Sequence, residues 1–258
     1  MKRYILLKIL TVNIFFFSVV CTASVPYQFR DVGVSNNIGA KLVDDVILYD
    51  AYKKKVNLKD ILNVKPTIIT FLYLNCPMLC HLMLDGLVDV MNQSNYELNK
   101  HYQIVSISID PNESYKQLQN YRNKYLTALK KDYGWYFLKG TEKNIKAITK
   151  HFGFNYNYIK RSKDYAHPSV LYFYHPQGLT NYLEGVIYTK KDFDLSVMNI
   201  KEKKTIKERI ITFCYMYDPD KQSYSIYILN ILRVACLVTV VIIGMFIIRV
   251  LKKEGFRR

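Results

Sequence analysis

Cysteine and acidic residues are both scarce in this chain of 258 residues. It contains five Cys, and its 21 Asp and Glu face 37 Lys and Arg, which leaves a formal net charge of +16. The lysines are dispersed, with short clusters only at 53–55 and 201–204, so the basic balance favours attraction to a membrane surface and not a nucleic-acid interface. Internal repeats and low-complexity stretches are also lacking, and the roughly 200 residues between the two ends fit one domain with a sizeable core.

Apolar stretches at both ends of the chain predict export and a membrane anchor. Lys2 and Arg3, the apolar run over residues 9–21 and the small residues that follow have the layout of a secretory signal peptide, predicted over residues 1–24. A cleaved signal and an uncleaved anchor both stay open. Residues 226–249 are almost wholly apolar and long enough to form a transmembrane helix. The basic tail over residues 250–258 then predicts a cytoplasmic C-terminus.

This topology predicts where the rest of the chain lies. A domain over residues 25–200 and a membrane-proximal segment over residues 201–225 would face the periplasm from the inner (cytoplasmic) membrane, in an oxidising compartment. Cys21 belongs to the predicted signal and Cys236 to the predicted span. Cys76, Cys80 and Cys214 remain outside, so a Cys76–Cys80 disulfide would leave one thiol unpaired.

Between the two ends, strand and helix patterns alternate. Strands are predicted over residues 67–74, 102–109 and 135–138, and helices over 78–92, 114–130 and 142–152 follow them, the last ended by Gly153 as a C-cap. Strands over 169–174 and 180–185, joined by a turn, and a helix from about residue 192 complete the pattern. Strands alternating with helices, and then a hairpin, predict an α/β fold with helices on both faces of one sheet.

Two cysteines lie where the first of these strands leads into a helix. Asn75 is a natural N-cap and Pro77 suits a first helical turn. Cys76 is therefore predicted at the positive end of a helix dipole, which favours a thiolate. Cys80 would return to the same helical face one turn later. Such a pair can exchange a disulfide or bind a soft metal such as Cu(I), and the alternative is a pair of small buried apolar residues.

The chain resembles the Sco/SenC family of copper proteins that serve cytochrome c oxidase, which have a thioredoxin-like fold. The segments that carry the resemblance are NCPMLC (75–80), VSISIDP (105–111) and YAHPSVLYF (165–173), and it runs from about residue 30 to the end. The segment FCYMYDP (213–219) resembles a bacterial subgroup with a C-terminal membrane anchor. The resemblance implies a thioredoxin-like central sheet with flanking helices.

The resemblance also implies a function and its residues. One copper ion per domain would be held by Cys76, Cys80 and His167, with Pro168 delivering the histidine beside the cysteine pair. Asp110 would be either a group that supports this site or a turn residue. The family pattern has a second acidic residue a few positions on, where this chain offers Glu113 and then Ser114.

We predict a membrane-anchored copper metallochaperone, rather than an enzyme, that supplies the copper-binding subunit of cytochrome c oxidase. The alternative is a thiol–disulfide oxidoreductase that keeps periplasmic cysteines reduced, including those of the oxidase copper site. In that reading Cys76 attacks and Cys80 resolves. His167 distinguishes the two, because disulfide exchange does not need it and a three-coordinate copper site does.

Overall fold

The computed structural model describes residues 31–42, 44–76 and 79–255, and of residues 79, 80, 247 and 250–255 it describes the backbone only. The predicted signal segment, Pro77 and the last three residues of the predicted tail lie outside these ranges.

The centre of the fold is a mixed sheet of seven strands. Its order is β11-β10-β4-β5-β6-β2-β3, in which β4, β5 and β6 are parallel and β10 and β2 are antiparallel to their inner neighbours. The strands are β2 (Ile47–Asp50), β3 (Lys55–Asn57), β4 (Thr67–Leu72), β5 (Gln103–Ser108), β6 (Trp135–Lys139), β10 (Val170–His175) and β11 (Gly178–Glu184). Every residue of β4 and β5 is buried, as expected of central strands covered on both sides.

Helices cover both faces of this sheet, as the sequence predicts. They are α2 (Leu79–Gln93), α3 (Tyr115–Ala128), α4 (Glu142–Phe152) and α5 (Lys190–Ile200). Tyr172 and Phe173 are consecutive on β10 and therefore point to opposite faces. Phe152 of α4 packs against Tyr172, with ring centroids 5.7 Å apart, and Phe193 of α5 packs against Phe173 at 6.0 Å. The mixed sheet between helical layers confirms the predicted fold class.

Several short elements are absent from the sequence prediction. A helix α1 (Leu58–Val64) precedes β4, and a helix α6 (Ile206–Cys214) follows the domain. Three two-stranded ribbons flank the sheet, and one of them lies in the tyrosine-rich segment before His167. The ribbons pair β1 (Gly33–Val34) with β7 (Phe154–Asn155), β8 (Asn157–Ile159) with β9 (Asp164–Ala166), and β12 (Tyr215–Asp218) with β13 (Ser223–Ile226). Strands of two to four residues give too few alternations to be recognised from sequence.

The last element is a long apolar helix, α7 (Ile228–Gly255). Its segment Ile228–Phe246 has 19 residues and a mean hydropathy of 2.4, and none of it is buried against the rest of the protein. By length and composition this segment can cross a membrane. It is the one helix of this kind in the described part of the chain.

Gly153 ends α4 in the left-handed conformation that the sequence predicts for a C-cap, with φ 69°. A Cβ atom there would lie 2.1 Å from the backbone oxygen of Ser35. The same residues are joined by a hydrogen bond from Ser35 N to Gly153 O of 2.8 Å. The close approach therefore fixes the entry segment of the domain against the end of α4.

Gly153→Ala should lower the free energy of unfolding by about 3 kcal/mol, because left-handed strain and the clash with the Ser35 backbone add. Gly185→Ala is the control, because Gly185 also has positive φ (109°) but a methyl group on its Cα would meet no atom within 4 Å. Its free energy of unfolding should fall only by the backbone strain, about 1–2 kcal/mol. Chemical unfolding of the detergent-solubilised chain measures both. Equal losses in the two variants would contradict the role of the close approach.

Candidate functional site

The predicted site residues gather at one edge of the sheet. Strands β4 and β5 are parallel and end there, at Leu72 and Ser108, while the antiparallel β10 begins there at Val170. The carboxyl ends of parallel strands are where sites form in open α/β sheets. The segments that follow β4 and β5 and the segment that precedes β10 carry Cys76, Asp110 and His167, so the topology brings all three to this edge.

Cys76 lies in a tight turn directly after β4. Its backbone N–H donates to the carbonyl oxygen of Tyr73 at 3.0 Å, and its partly buried side chain packs against the hydrophobic core. The predicted capping of the next helix by Asn75 rests partly on residues 77–78, outside the described ranges. The Asn75 side chain is described in another contact, in which its Oδ1 accepts from Gln117 Nε2 at 2.6 Å.

Cys80 is the second residue of α2 as described, and only its backbone is described. Among the residues whose side chains are described, no group of three or more His, Cys, Asp or Glu could hold a metal ion. The predicted set of Cys76, Cys80 and His167 stays a prediction.

A buried carboxyl group holds the turn that carries Cys76. Glu113 is 2% exposed, and its Oε1 accepts hydrogen bonds from the backbone N–H groups of Leu74 and, at 3.2 Å, of Asn75. Its Oε2 is hydrogen-bonded to the Ser108 hydroxyl at the end of β5. Glu113 thereby ties the loop after β4 to the end of β5. A carboxyl that accepts two consecutive backbone N–H groups fixes the path of that loop.

Burial raises the pKa of Glu113 to about 7 from its ordinary 4.5, and the charge of Asp110 acts in the same direction. The hydrogen bonds from Ser108, Leu74 and Asn75 oppose this shift. The contacts of Ser108 fit a protonated carboxyl. The Ser108 hydroxyl has one proton, which it can donate to Asp110 O at 3.1 Å. The Ser108–Glu113 hydrogen bond then needs a proton on Glu113 Oε2, which donates it to Ser108 Oγ.

Tyr121 of α3 also holds this turn. The Tyr121 hydroxyl donates to the carbonyl oxygen of Leu74 at 2.7 Å, and lies 2.9 Å from His81 Nε2. Because the hydroxyl proton goes to Leu74, His81 Nε2–H is the donor in the second contact. His81 is half-buried and stacks on Tyr121 with ring centroids 5.3 Å apart. Its ring therefore supports the turn.

His167 is buried, at 8% exposure, just before β10. Its Nδ1 lies 2.9 Å from the carbonyl oxygen of Pro168. Since a carbonyl oxygen only accepts, Nδ1 carries the proton and the lone pair of the neutral ring is on Nε2. A metal ligand needs such a fixed tautomer. Its ring also packs on Phe154 at 6.1 Å, which in turn packs on Phe71 of β4 at 4.8 Å.

The register of β10 against β4 directs His167 toward the cysteine turn. Tyr172 pairs with Ile69 and Phe173 with Ile68, and antiparallel partners move in opposite directions along the two strands. Continued to Val170, the first residue of β10, this register reaches Phe71 near the end of β4, so His167 lies just beyond the strand at the edge where the cysteine turn begins. Tyr165 and Tyr73, whose ring centroids are 5.2 Å apart, join the two segments at the same place.

Asp110 has the contacts of a turn residue. Its Oδ1 accepts from the backbone N–H of Asn112 at 2.9 Å, the local pattern that Asp favours at turns. It lines a cleft beside the site together with Tyr165 and Lys163. A supporting role toward the cysteines remains a prediction. Glu113 and Tyr121 are the residues whose importance the sequence did not predict, although the acidic residue shortly after SISIDP was a signal for Glu113.

Comparison with known proteins identifies the family. The chain matches the family model described as SCO1/SenC over residues 39–192, more than half of its length. The chain belongs to the SCO1/SenC family. No curated protein matches the chain.

Solved structures share the fold at low sequence identity. A protein of Aquifex aeolicus VF5 with a proposed role in electron transfer is 22% identical, with a TM-score of 0.57 over 66% of this chain and 98% of that one. A SCO1/SenC family lipoprotein from Bacillus anthracis str. Ames is 18% identical, with a TM-score of 0.52 over 63% and 95%. Yeast Sco1 with copper bound is 24% identical, with a TM-score of 0.49 over 66% and 94%. The first two likenesses show the shared fold.

The Glu113 contacts predict an unusual pH dependence of stability. Between pH 4.5 and about 7 the unfolded chain has released the Glu113 proton and the folded chain retains it, so the free energy of unfolding falls as pH rises through this window. At about 1.4 kcal/mol per pKa unit, the free energy of unfolding of the wild type should fall by about 3 kcal/mol across this window. Glu113→Gln should remove this fall, because its amide mimics the protonated carboxyl. Chemical unfolding of the metal-free, reduced chain across this pH range measures it.

Glu142→Gln is the matched control, because Glu142 is exposed and pairs with Lys146 at 2.6 Å. That variant should keep the decline that the wild type shows. The same pH dependence in wild type and Glu113→Gln would contradict a proton held by the buried carboxyl.

Proposed function

We propose that the protein is a membrane-anchored copper metallochaperone for the copper centre of cytochrome c oxidase, with Cys76, Cys80 and His167 as the copper ligands. Membership of the SCO1/SenC family supports a copper-binding role in oxidase assembly. The observation that supports the residue assignment is the antiparallel pairing of β10 with β4, because β10, which follows His167, begins at the edge of the sheet where β4 leads into the turn of Cys76.

The chemistry of the donor atoms supports copper as the cargo. Two thiolates and one imidazole form a soft set of three ligands, which suits Cu(I). The hydrogen bond from His167 Nδ1–H to the Pro168 carbonyl leaves the lone pair on Nε2, as a ligand requires. The burial of His167 also keeps water away from the ring, so a metal ion bound there would keep its protein ligands.

Transfer would proceed by exchange of ligands without a change in oxidation state. The cysteines of the acceptor subunit displace Cys76, Cys80 and His167 one at a time, and each ligand released here can take up a proton. Glu113 and Tyr121 both bind the backbone of the loop that carries Cys76, through contacts that do not depend on a bound metal. A preformed site lowers the cost of rebinding the metal.

The location follows from the two ends of the chain. An exported domain carried by α7, with the basic end of α7 in the cytoplasm, presents the cysteine pair to the periplasm. The acceptor centre of the oxidase would be reached on the same side. A thiol–disulfide oxidoreductase would use the same cysteines in the same place, and the experiment on His167 below separates it from the chaperone.

Reduced, metal-free protein should bind one Cu(I), and Cys76→Ser or Cys80→Ser should abolish binding. His167→Ala should weaken binding by at least about tenfold, or 1.4 kcal/mol, because one of three ligands is lost. Anaerobic titration against a competing Cu(I) chelator measures affinity and stoichiometry, and X-ray absorption reports the sulfur ligands.

Two variants serve as matched controls in this titration. Cys214→Ser removes a thiol near the membrane, and His175→Ala removes the histidine at the other end of β10; both should bind as the wild type does. Unchanged stoichiometry in the Cys76 and Cys80 variants would contradict the copper site. Unchanged affinity in His167→Ala, with exchange of thiols lost in the cysteine variants, would instead favour the oxidoreductase.

The proposed topology requires the cysteine pair outside and the C-terminus inside. In a background of Cys21→Ser, Cys214→Ser and Cys236→Ser, a membrane-impermeant maleimide should label Cys76 or Cys80 in intact cells after reduction. A tag after Arg258 should resist protease added to spheroplasts and become sensitive when they are lysed. Cleavage of the tag in intact spheroplasts would reverse the orientation and remove the proposed delivery to an outward-facing acceptor.

A further inference from the structure

Helix α6 exposes a stripe of large apolar side chains. Ile206 is 80% exposed, Ile210 61% and Phe213 46%. Their spacing of four and three residues places them on one face of the helix. Large apolar side chains that are adjacent and exposed mark a surface that another phase or molecule covers.

The opposite face of α6 is fixed to the globular domain. Glu208 is buried and accepts hydrogen bonds from Tyr96 Oη at 2.8 Å and Lys201 Nζ at 2.7 Å. Glu208 also closes a capping box with Thr205 at the start of the helix. Because these contacts hold one face inward, the apolar stripe is held outward.

Basic side chains flank the apolar stripe on both sides. At 100° per residue, Lys207 lies about 100° from Ile206 around the helix and Arg209 about 60° in the other direction. Both are exposed. An apolar stripe between two basic edges is the arrangement of a helix that lies in the plane of a membrane interface, where anionic headgroups attract the basic edges.

Contacts with α7 place the stripe at membrane level. Asn230 Nδ2 donates to Phe213 O at 2.7 Å, and Tyr227 N donates to Cys214 O at 2.8 Å. A groove of about 670 Å³ with mainly apolar walls runs between the two helices, lined by Arg209, Ile210, Phe213 and Cys214 of α6 and by Ile231, Val234 and Ala235 of α7. Ala235 is seven residues into the segment that can span a membrane, about 10 Å from its start.

We propose that α6 is an interfacial membrane helix. Its face of Ile206, Ile210 and Phe213 is immersed in the leaflet that α7 enters, a lipid acyl chain fills the groove between α6 and α7, and Lys207 and Arg209 contact anionic headgroups. The occupant is the bilayer because the groove continues the lipid-facing surface of α7. This inference depends on α7 spanning the membrane and not on the proposed copper function.

The consequence is a fixed orientation of the domain. A single spanning helix would leave the domain free to rotate about its linker. With one face of α6 held to the domain by Glu208 and the other held in lipid, the membrane and the domain share one rigid element. The domain then presents its site in one direction relative to the bilayer.

Spin labels on the full chain in vesicles test the proposal. Single-cysteine variants, with the native cysteines replaced by serine, carry a label at Ile210→Cys, at Val240→Cys as the lipid-facing reference on α7, and at Lys143→Cys as the aqueous reference on α4. The measurement is collision of the label with oxygen, which concentrates in lipid, and with a water-soluble nickel chelate. In phosphatidylglycerol-containing vesicles the Ile210 label should resemble the Val240 label, with an oxygen-to-nickel ratio several-fold above that at Lys143.

Each other outcome has a distinct meaning. A nickel-accessible label at Ile210 beside a lipid-exposed one at Val240 would overturn the proposal while leaving the membrane span intact. Broadening between Ile210 labels that disappears on dilution with unlabelled protein would assign the stripe to a second copy, and would also overturn it. Nickel access at Val240 would refute the span on which the proposal depends.

A label at Phe213→Cys repeats the measurement one turn away, in case one variant folds poorly. Vesicles of phosphatidylcholine alone test the charged edges. There the nickel accessibility at Ile210 should rise at least twofold, because the headgroups no longer attract Lys207 and Arg209. Equal accessibility in neutral and anionic vesicles would overturn the assignment of these two residues to anionic headgroups.

Discussion

The buried carboxyl of Glu113 is the constraint on which the arrangement of the site depends. It accepts the backbone N–H groups that follow β4 and is bound to Ser108 at the end of β5, so one side chain joins the loops of two parallel strands. Ionising it under this turn is unfavourable because burial removes more stabilisation by water than the hydrogen bonds from Leu74, Asn75 and Ser108 restore. With its pKa raised to about 7, the group that holds the turn of Cys76 is about half protonated at neutral pH.

The second constraint is the direction of β10. A parallel strand in that place would begin at the opposite edge of the sheet and carry His167 away from Cys76, whereas the antiparallel pairing with β4 begins at the edge where β4 ends. Sheet topology thereby brings the segment that carries His167, far along the chain, to the edge of the sheet from which the cysteine turn leaves. The short ribbon of β8 and β9, with Tyr165 on Tyr73, supports the segment that leads to it.

The sequence predicted the long elements and missed several of the short ones for physical reasons. The buried strand 67–74 and the capped helix 142–152 have strong patterns, and the structure has them as β4 (Thr67–Leu72) and α4 (Glu142–Phe152). The hydrogen bonds that hold the Cys76 turn could not be predicted in the same way. They depend on Tyr121, which is one of many tyrosines, and on Glu113, whose burial conflicts with the usual exposure of glutamate. Only tertiary contacts show that both reach the same turn.

Helix α2 connects the site to the membrane end of the domain. Cys80 lies at its start, and Tyr96, three residues after its end, donates to Glu208 of α6. The fifteen residues of α2 span about 22 Å. The contact with α6 and the cysteine turn are therefore separated by about the length of this helix. A helix embedded between a buried sheet and its neighbours transmits orientation without bending. If α6 lies in the membrane interface, α2 therefore sets the position of the cysteine pair relative to the contact between Tyr96 and Glu208. It fixes both the distance and the direction between them.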